Sequence, residues 1–201
     1  QVQDLRQRLA QALPRLGLRS FVVDLIAPLT TAVGDGWSAG TLAVFEEHLF
    51  AETVQSVMRM AIDTATRPAG AAAGTPRIIL TTVPLERHGL GLLMAEALFA
   101  LEGAHCIALG VQTPLGEMVS AARTQDADIV ALSFSSQITT RAAVENVTEL
   151  RARLGSETEV WIGGSCANQA RRQLGPACVV DLDDIPAVVA RWRSDHAGVP
   201  A

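Results

Sequence analysis

The sequence predicts an α/β protein: an N-terminal helical bundle followed by a flavodoxin-like (Rossmann-type) domain with a five-stranded parallel sheet. Three observations predict it. Residues 1–66 carry apolar side chains at helical spacing. A stretch rich in Pro, Gly and Ala follows, with the composition of a linker. Beyond it, short apolar runs alternate with helical patterns, as in a parallel sheet covered on both faces. The expected boundaries are a bundle over 1–67, a linker over 68–76 and the sheet domain over 77–201.

In the first half, Val2, Leu5, Leu9, Ala12 and Leu13 fit one face of a helix. A second helix is expected from about Leu18 through Phe21, Val22, Leu25, Ile26 and Leu29, bent at Pro28. The glycines of 34–40 predict a loop that carries Trp37. A long third helix over 41–64 follows, with Leu42, Phe45, Leu49, Val54, Val57, Met58 and Ala61 at helical spacing.

In the second half, strands are expected at 77–83, 104–109, 128–133, 158–162 and 177–180. Helices are expected at 89–102, 114–125, 139–154, 166–174 and 184–194. Strand order 2-1-3-4-5 puts a ligand crevice beyond the carboxyl ends of strands one and three. The loops at Pro84–His88, Ser133–Gln137 and Gly163–Ser165 then converge on one edge of the sheet.

Composition narrows the function. Of 201 residues, 49% are apolar and 18% charged, which suits a globular core. No apolar run approaches the roughly 18 residues that span a bilayer, and Gln1 opens a polar amphipathic stretch rather than a leader, so a cytoplasmic location is expected. The missing initial methionine suggests a neighbouring upstream domain. A net charge of −5 disfavours direct binding of nucleic acid by these residues. All 16 basic residues are Arg, which excludes a lysine Schiff base and the lysine of a P-loop. It also argues against a phosphorelay receiver of the same fold. Cys106, Cys166 and Cys178 are widely spaced and contain no C-x-x-C pair, as expected of reduced thiols; Cys166, near a helix start, is the one candidate for a reactive role.

His88 sits between the first strand and the next helix, with Glu86 two residues before it and Gly91 three after. One reading is a solvated loop histidine capping that helix. The other is a metal ligand whose second ring nitrogen donates to Glu86, which fixes the tautomer and raises basicity. Gly89 and Gly91 let a bulky group approach the backbone.

Glu86-x-His88-x-x-Gly91, then 41 residues, Ser133-x-Ser135, then 27 residues, Gly163-Gly164, resembles the fingerprint of cobalamin-binding domains over about residues 76–195. The resemblance implies cobalamin as cofactor, with His88 as lower axial ligand of cobalt in place of the cofactor's own benzimidazole. It further implies that the nucleotide tail enters a slot between sheet and helices, with Ser133, Ser135, Gly163 and Gly164 as candidate contacts. Ser135 departs from the family's Ser-x-Leu, which leaves its tail contact open.

In the helical half, Trp37, nine residues, then Glu47-His48 resembles the signature of CarH/LitR-type light-responsive regulators of the MerR family. The resemblance implies adenosylcobalamin, a bundle capping its upper face, and Trp37, Glu47 and His48 beside the adenosyl group. It implies a homo-oligomer and DNA binding through an N-terminal helix-turn-helix domain outside this chain. Known members carry histidine directly after the tryptophan; here Ser38 stands there, so an upper cobalt–histidine bond through position 38 is impossible.

The expected function is therefore a photoreceptor module of a transcriptional regulator, not an enzyme. The alternative is a corrinoid methyl carrier of a methyltransferase system, which would take methylcobalamin. A third reading, a zinc site formed by His48, His88 and a carboxylate, leaves the Ser and Gly-Gly elements unexplained.

Overall fold

A computed structural model describes residues 2–65, 75–175 and 179–196. The first helix, α1, runs Val2–Ser20 and is kinked at Gly17, where φ is 75°. A six-residue π-helical segment, Phe21–Ile26, leads directly into α2, Ala27–Ser38. Pro28 explains the widened turn. It donates no backbone hydrogen bond and its ring crowds the carbonyl four residues back. The register opens accordingly, and Ala27 N donates to Val22 O, five residues back.

Two sequence expectations change here. Helix α2 continues through Gly34 and Gly36, so Trp37 occupies its last turn and not a loop. The connection comprises 39–43, and α3 spans Val44–Ala65. Gly36 serves close packing: a Cβ there would press on Leu42 Cδ1 at 3.0 Å, and its carbonyl accepts from Thr41 N and Leu42 N. The chain therefore folds back onto the end of α2.

The second half alternates β1 Arg77–Thr81, α4 Leu90–Leu101, β2 His105–Gly110, α5 Leu115–Thr124, β3 Ile129–Ser133, α6 Thr140–Leu154, β4 Glu159–Gly163, α7 Ala167–Leu174 and α8 Ile185–Asp195. The sheet is parallel in the order β2-β1-β3-β4. The expected fifth strand is reduced, among the described residues, to one parallel bridge between Ile162 and Val179; residues 177 and 178 of that expectation, the second being Cys178, lie outside them. Asp181 turns away to Arg171 and Asn168, which ends the extended run after Val180.

The pleat divides the core in two. Ile78, Leu80, Ile129, Ala131 and Trp161 face α4, α8 and the bundle. Ile79, Val130, Leu132, Val160 and Ile162 face α5, α6 and α7. The bundle thus adds a layer onto α4, with Leu9, Phe21, Val22, Ile26, Val54 and Met58 buried in the same cluster as the first sheet face. Arg19 ties α1 to the segment before α8 by donating to the Asp183 carbonyl at 3.2 Å.

One expectation on membranes is corrected. By length and composition alone, the helical stretch Val2–Ser38 is long and apolar enough to cross a bilayer, although no single run of apolar residues in it is that long. A single such stretch near an N-terminus is weak evidence, and this one is kinked at Gly17 and supplies Phe21, Val22 and Ile26 to the core.

Candidate functional site

The loop after β1 is fixed from below. Thr82, fully buried, donates its hydroxyl to the Glu86 carbonyl at 2.7 Å and accepts from Gln112 N at 2.8 Å. Thr81 donates to the Gly110 carbonyl at 3.0 Å. These bonds tie the β1 and β2 loops together. Leu85 sits at the tip with φ 74°, a left-handed conformation unusual for leucine, and its side chain is exposed.

Glu86 turns inward and is fully buried. One carboxylate oxygen accepts from His88 N at 2.9 Å and lies 2.7 Å from His88 Nδ1; the other accepts from Ser135 N at 2.8 Å. Burial pushes this carboxyl upward, but the backbone N–H groups of His88 and Ser135, then their side chains, outweigh it and hold the group below its ordinary value. An ionised carboxylate at this distance takes the Nδ1 proton as donor. Nε2 then carries the free lone pair on a ring whose side chain is 51% exposed. The arrangement is that of an oriented imidazole ligand.

Ser135 joins this group. Its N–H binds Glu86, and its hydroxyl lies 3.2 Å from His88 Nδ1. It stands beside the neighbouring cavity's lining residues Ser133 and Leu132 in sequence and contacts the Glu86–His88 pair directly.

That cavity, of about 340 Å³, lies between β1, β3, β4 and the helices α4 and α8. Its mouth is built from small residues. A Cβ on Gly91 would overlap the Ser133 hydroxyl. A Cβ on Gly164 would overlap the Phe134 carbonyl, and φ of 96° there suits glycine alone. A Cβ on Gly163 would sit 3.1 Å from Val180 O. Ser165, Asn168 and Asp181 complete the rim.

Sequence reasoning missed the cavity's inner end. Leu80, Ala95, Phe99, Ala131 and Trp161 line it. Two patterns carry the signal: Gly91, Ala95 and Phe99 recur every fourth residue along α4, and Ala131 and Trp161 lie two residues before Ser133 and Gly163 on paired strands.

Trp37, Glu47 and His48 form a separate group on the bundle. Trp37 ends α2 and is 38% exposed; Glu47 and His48 lie in the first turns of α3 with Oε2 and Nε2 3.5 Å apart. Among the described residues no three His, Cys, Asp or Glu side chains cluster as metal ligands, so His48, His88 and a carboxylate do not form the alternative zinc site. His105 starts β2 at the opposite end of the sheet, and His196 stacks on Trp192 at the end of α8. Cys166 is buried, and burial with the nearby Glu96 charge pushes the Cys106 thiol up to about 12.

A family model described as a B12 binding domain matches residues 76–186, and a second with the same description matches residues 1–62. The HTH-type transcriptional repressor CarH of Myxococcus xanthus is 30% identical over 166 residues, which cover 83% of this chain and 53% of the repressor. The chain thus spans about half the length of that curated relative. The monomethylamine corrinoid protein of Methanosarcina barkeri superposes with a TM-score of 0.74 at 15% identity, covering 94% of this chain and 91% of that one. The methanol:cobalamin methyltransferase complex MtaBC of the same organism gives 0.52 at 16% identity, covering 99% of this chain and 76% of that one. At these identities the two likenesses are of fold.

Proposed function

The chain belongs to the family of B12 binding domains, and from that premise we propose that it is the cobalamin-binding light-sensing module of a transcriptional regulator. The observation that carries the reading is the imidazole of His88, held through Nδ1 by a buried, ionised Glu86 at 2.7 Å. Such a ring offers one nitrogen, Nε2, to cobalt. The cavity of about 340 Å³ beside it, lined by Gly91, Ser133, Gly163 and Gly164, supports a place for a displaced nucleotide tail.

Adenosylcobalamin supplies one light-labile cobalt–carbon bond when bound. The chain's own residues do the rest. His88 would hold the corrinoid through Nε2, and Glu86 and Ser135 fix its ring. In this reading residues 1–67 cap the upper face, with Trp37, Glu47 and His48 beside the adenosyl group. Loss of that group in light would remove their contacts, and the equilibrium of bundle packing could shift by no more than the differential contact energy so lost. The readout is a change in homo-oligomeric assembly and, in a whole regulator, DNA binding by a further domain in the cytoplasm. Ser38 supplies no imidazole to the vacated upper position.

Light sensing is tested by loading the chain with adenosylcobalamin in darkness, then illuminating it at 530 nm or so while recording absorbance and size-exclusion volume. The expected result is a spectral change accompanied by a change in assembly. A spectral change without any change in assembly or bundle packing contradicts the sensor reading. It favours the second reading, a corrinoid methyl carrier, for which retention of methylcobalamin and methyl transfer to a thiol acceptor would then be measured.

A further inference from the structure

The inner end of the cavity has a chemistry of its own. Along α4 the residues facing the sheet grow from Gly91 through Ala95 to Phe99. On the sheet, Ser133 and Gly163 pair at the mouth, and Ala131 and Trp161 pair one pleat deeper. The lining is therefore polar toward the carboxyl ends of the strands and apolar one pleat deeper. The rings of Phe99 and Trp161, 5.9 Å apart between centroids, line that deeper end.

No free polar group waits there. Trp161 Nε1 is committed, donating to Glu159 Oε2 at 2.8 Å, and Glu159 is not part of the cavity lining. Among the described residues no buried side-chain nitrogen or oxygen lacks a partner. The backbone of 129–132 and 159–162 is committed to the sheet ladders. At the mouth, by contrast, Ser133, Ser165, Asn168 and Asp181 offer hydroxyl, amide and carboxylate groups. Asp181 is paired with Arg171 at 3.2 Å, which offsets its charge.

We propose that Phe99, Ala131 and Trp161 make this slot selective for cobamides whose lower base is a benzimidazole over those whose lower base is adenine. The proposal rests on the B12-binding reading and deepens it. A nucleotide tail matches the gradient: sugar and phosphate at the polar mouth, the planar base at the apolar end. A benzimidazole displaced from cobalt presents mostly carbon to these walls. Adenine presents an exocyclic amine and additional ring nitrogens, each stripped of water with no partner to replace it. An apolar site of this kind discriminates by leaving polar groups unpaired.

The test titrates the full chain with three corrinoids: cobinamide, which has no base, adenosylcobalamin, and its adenine-based counterpart. Protein tryptophan fluorescence and calorimetry give the affinities. Each is corrected for the fraction of that cobamide already base-off in free solution, measured by acid titration of its absorbance. The expected corrected preference for the benzimidazole form is at least about 10-fold, equivalent to about 1.4 kcal/mol. Ala131→Ser, which adds one hydroxyl at the apolar end, is expected to reduce that preference at least about 3-fold; Ala95→Ser is the second variant should the first not fold. Corrected affinities within about 2-fold of each other in the native chain overturn the selectivity. A tail that adds nothing over cobinamide overturns it as well, while the His88-dependent spectrum leaves the B12 reading standing. Failure to retain any of the three corrinoids removes both.

Discussion

Glu86 is the residue on which the site depends. It is a buried charge made tolerable by three donors, and it converts a loop histidine into an imidazole of fixed tautomer. Glu86→Gln keeps the shape but turns an amide N–H₂ toward one of the N–H donors. The expected cost is about 1–3 kcal/mol of stability, read as a lower urea midpoint, together with roughly 10–100-fold weaker corrinoid binding. An unchanged affinity would show that Glu86 does not orient His88. Gly164 is the second sensitive position. Gly164→Ala meets both a φ of 96° and the Phe134 backbone, so a loss of at least about 1–3 kcal/mol is expected in thermal unfolding. Gly116, with open space around its missing Cβ, is the control: Gly116→Ala is expected to be neutral or slightly stabilising.

At the scale of elements, α4 does two tasks. One face packs on the bundle through Leu93 and Ala97, and the other grades from Gly91 to Phe99 along the slot. The alternation of β1 to β4 with α4 to α7 was legible because short apolar runs bounded by turn residues leave little choice of element. The Glu86–His88 pair was legible because two residues of an extended loop place both side chains on one side. Trp37 was misplaced because Gly34 and Gly36 read as a loop; their role is to let the 39–43 return pack on the end of α2, which only the tertiary contact to Leu42 reveals. The inner slot was missed for a related reason. Phe99 and Trp161 look like ordinary core residues in one dimension, and their meeting depends on the sheet register.

Over the whole molecule, the bundle and the sheet share one apolar core, with α3 against α4 as the principal seam. Glu96 lies on that seam. Burial pushes its carboxyl upward, Arg59 opposes this and Asp63 adds to it, with a net shift upward. A carboxylate raised in the folded state weakens folding wherever it is ionised, and the penalty disappears as pH falls below the unfolded value. Glu96→Gln is therefore expected to raise the melting temperature at pH 7, with the gain vanishing as pH falls below the ordinary carboxylate value. A constant gain across that range would show that the seam is insensitive to the charge.

The central claim is that His88 Nε2 binds cobalt. The most direct measurement is electron paramagnetic resonance of the chain loaded with cobalamin and reduced to the cobalt(II) state, with the protein uniformly labelled with ¹⁵N and the cofactor unlabelled. One axial protein nitrogen predicts doublet superhyperfine splitting with labelled protein and a triplet with unlabelled protein, and loss of both in His88→Ala. A triplet that persists with labelled protein would place the cofactor's own base on the metal and contradict the role assigned to His88.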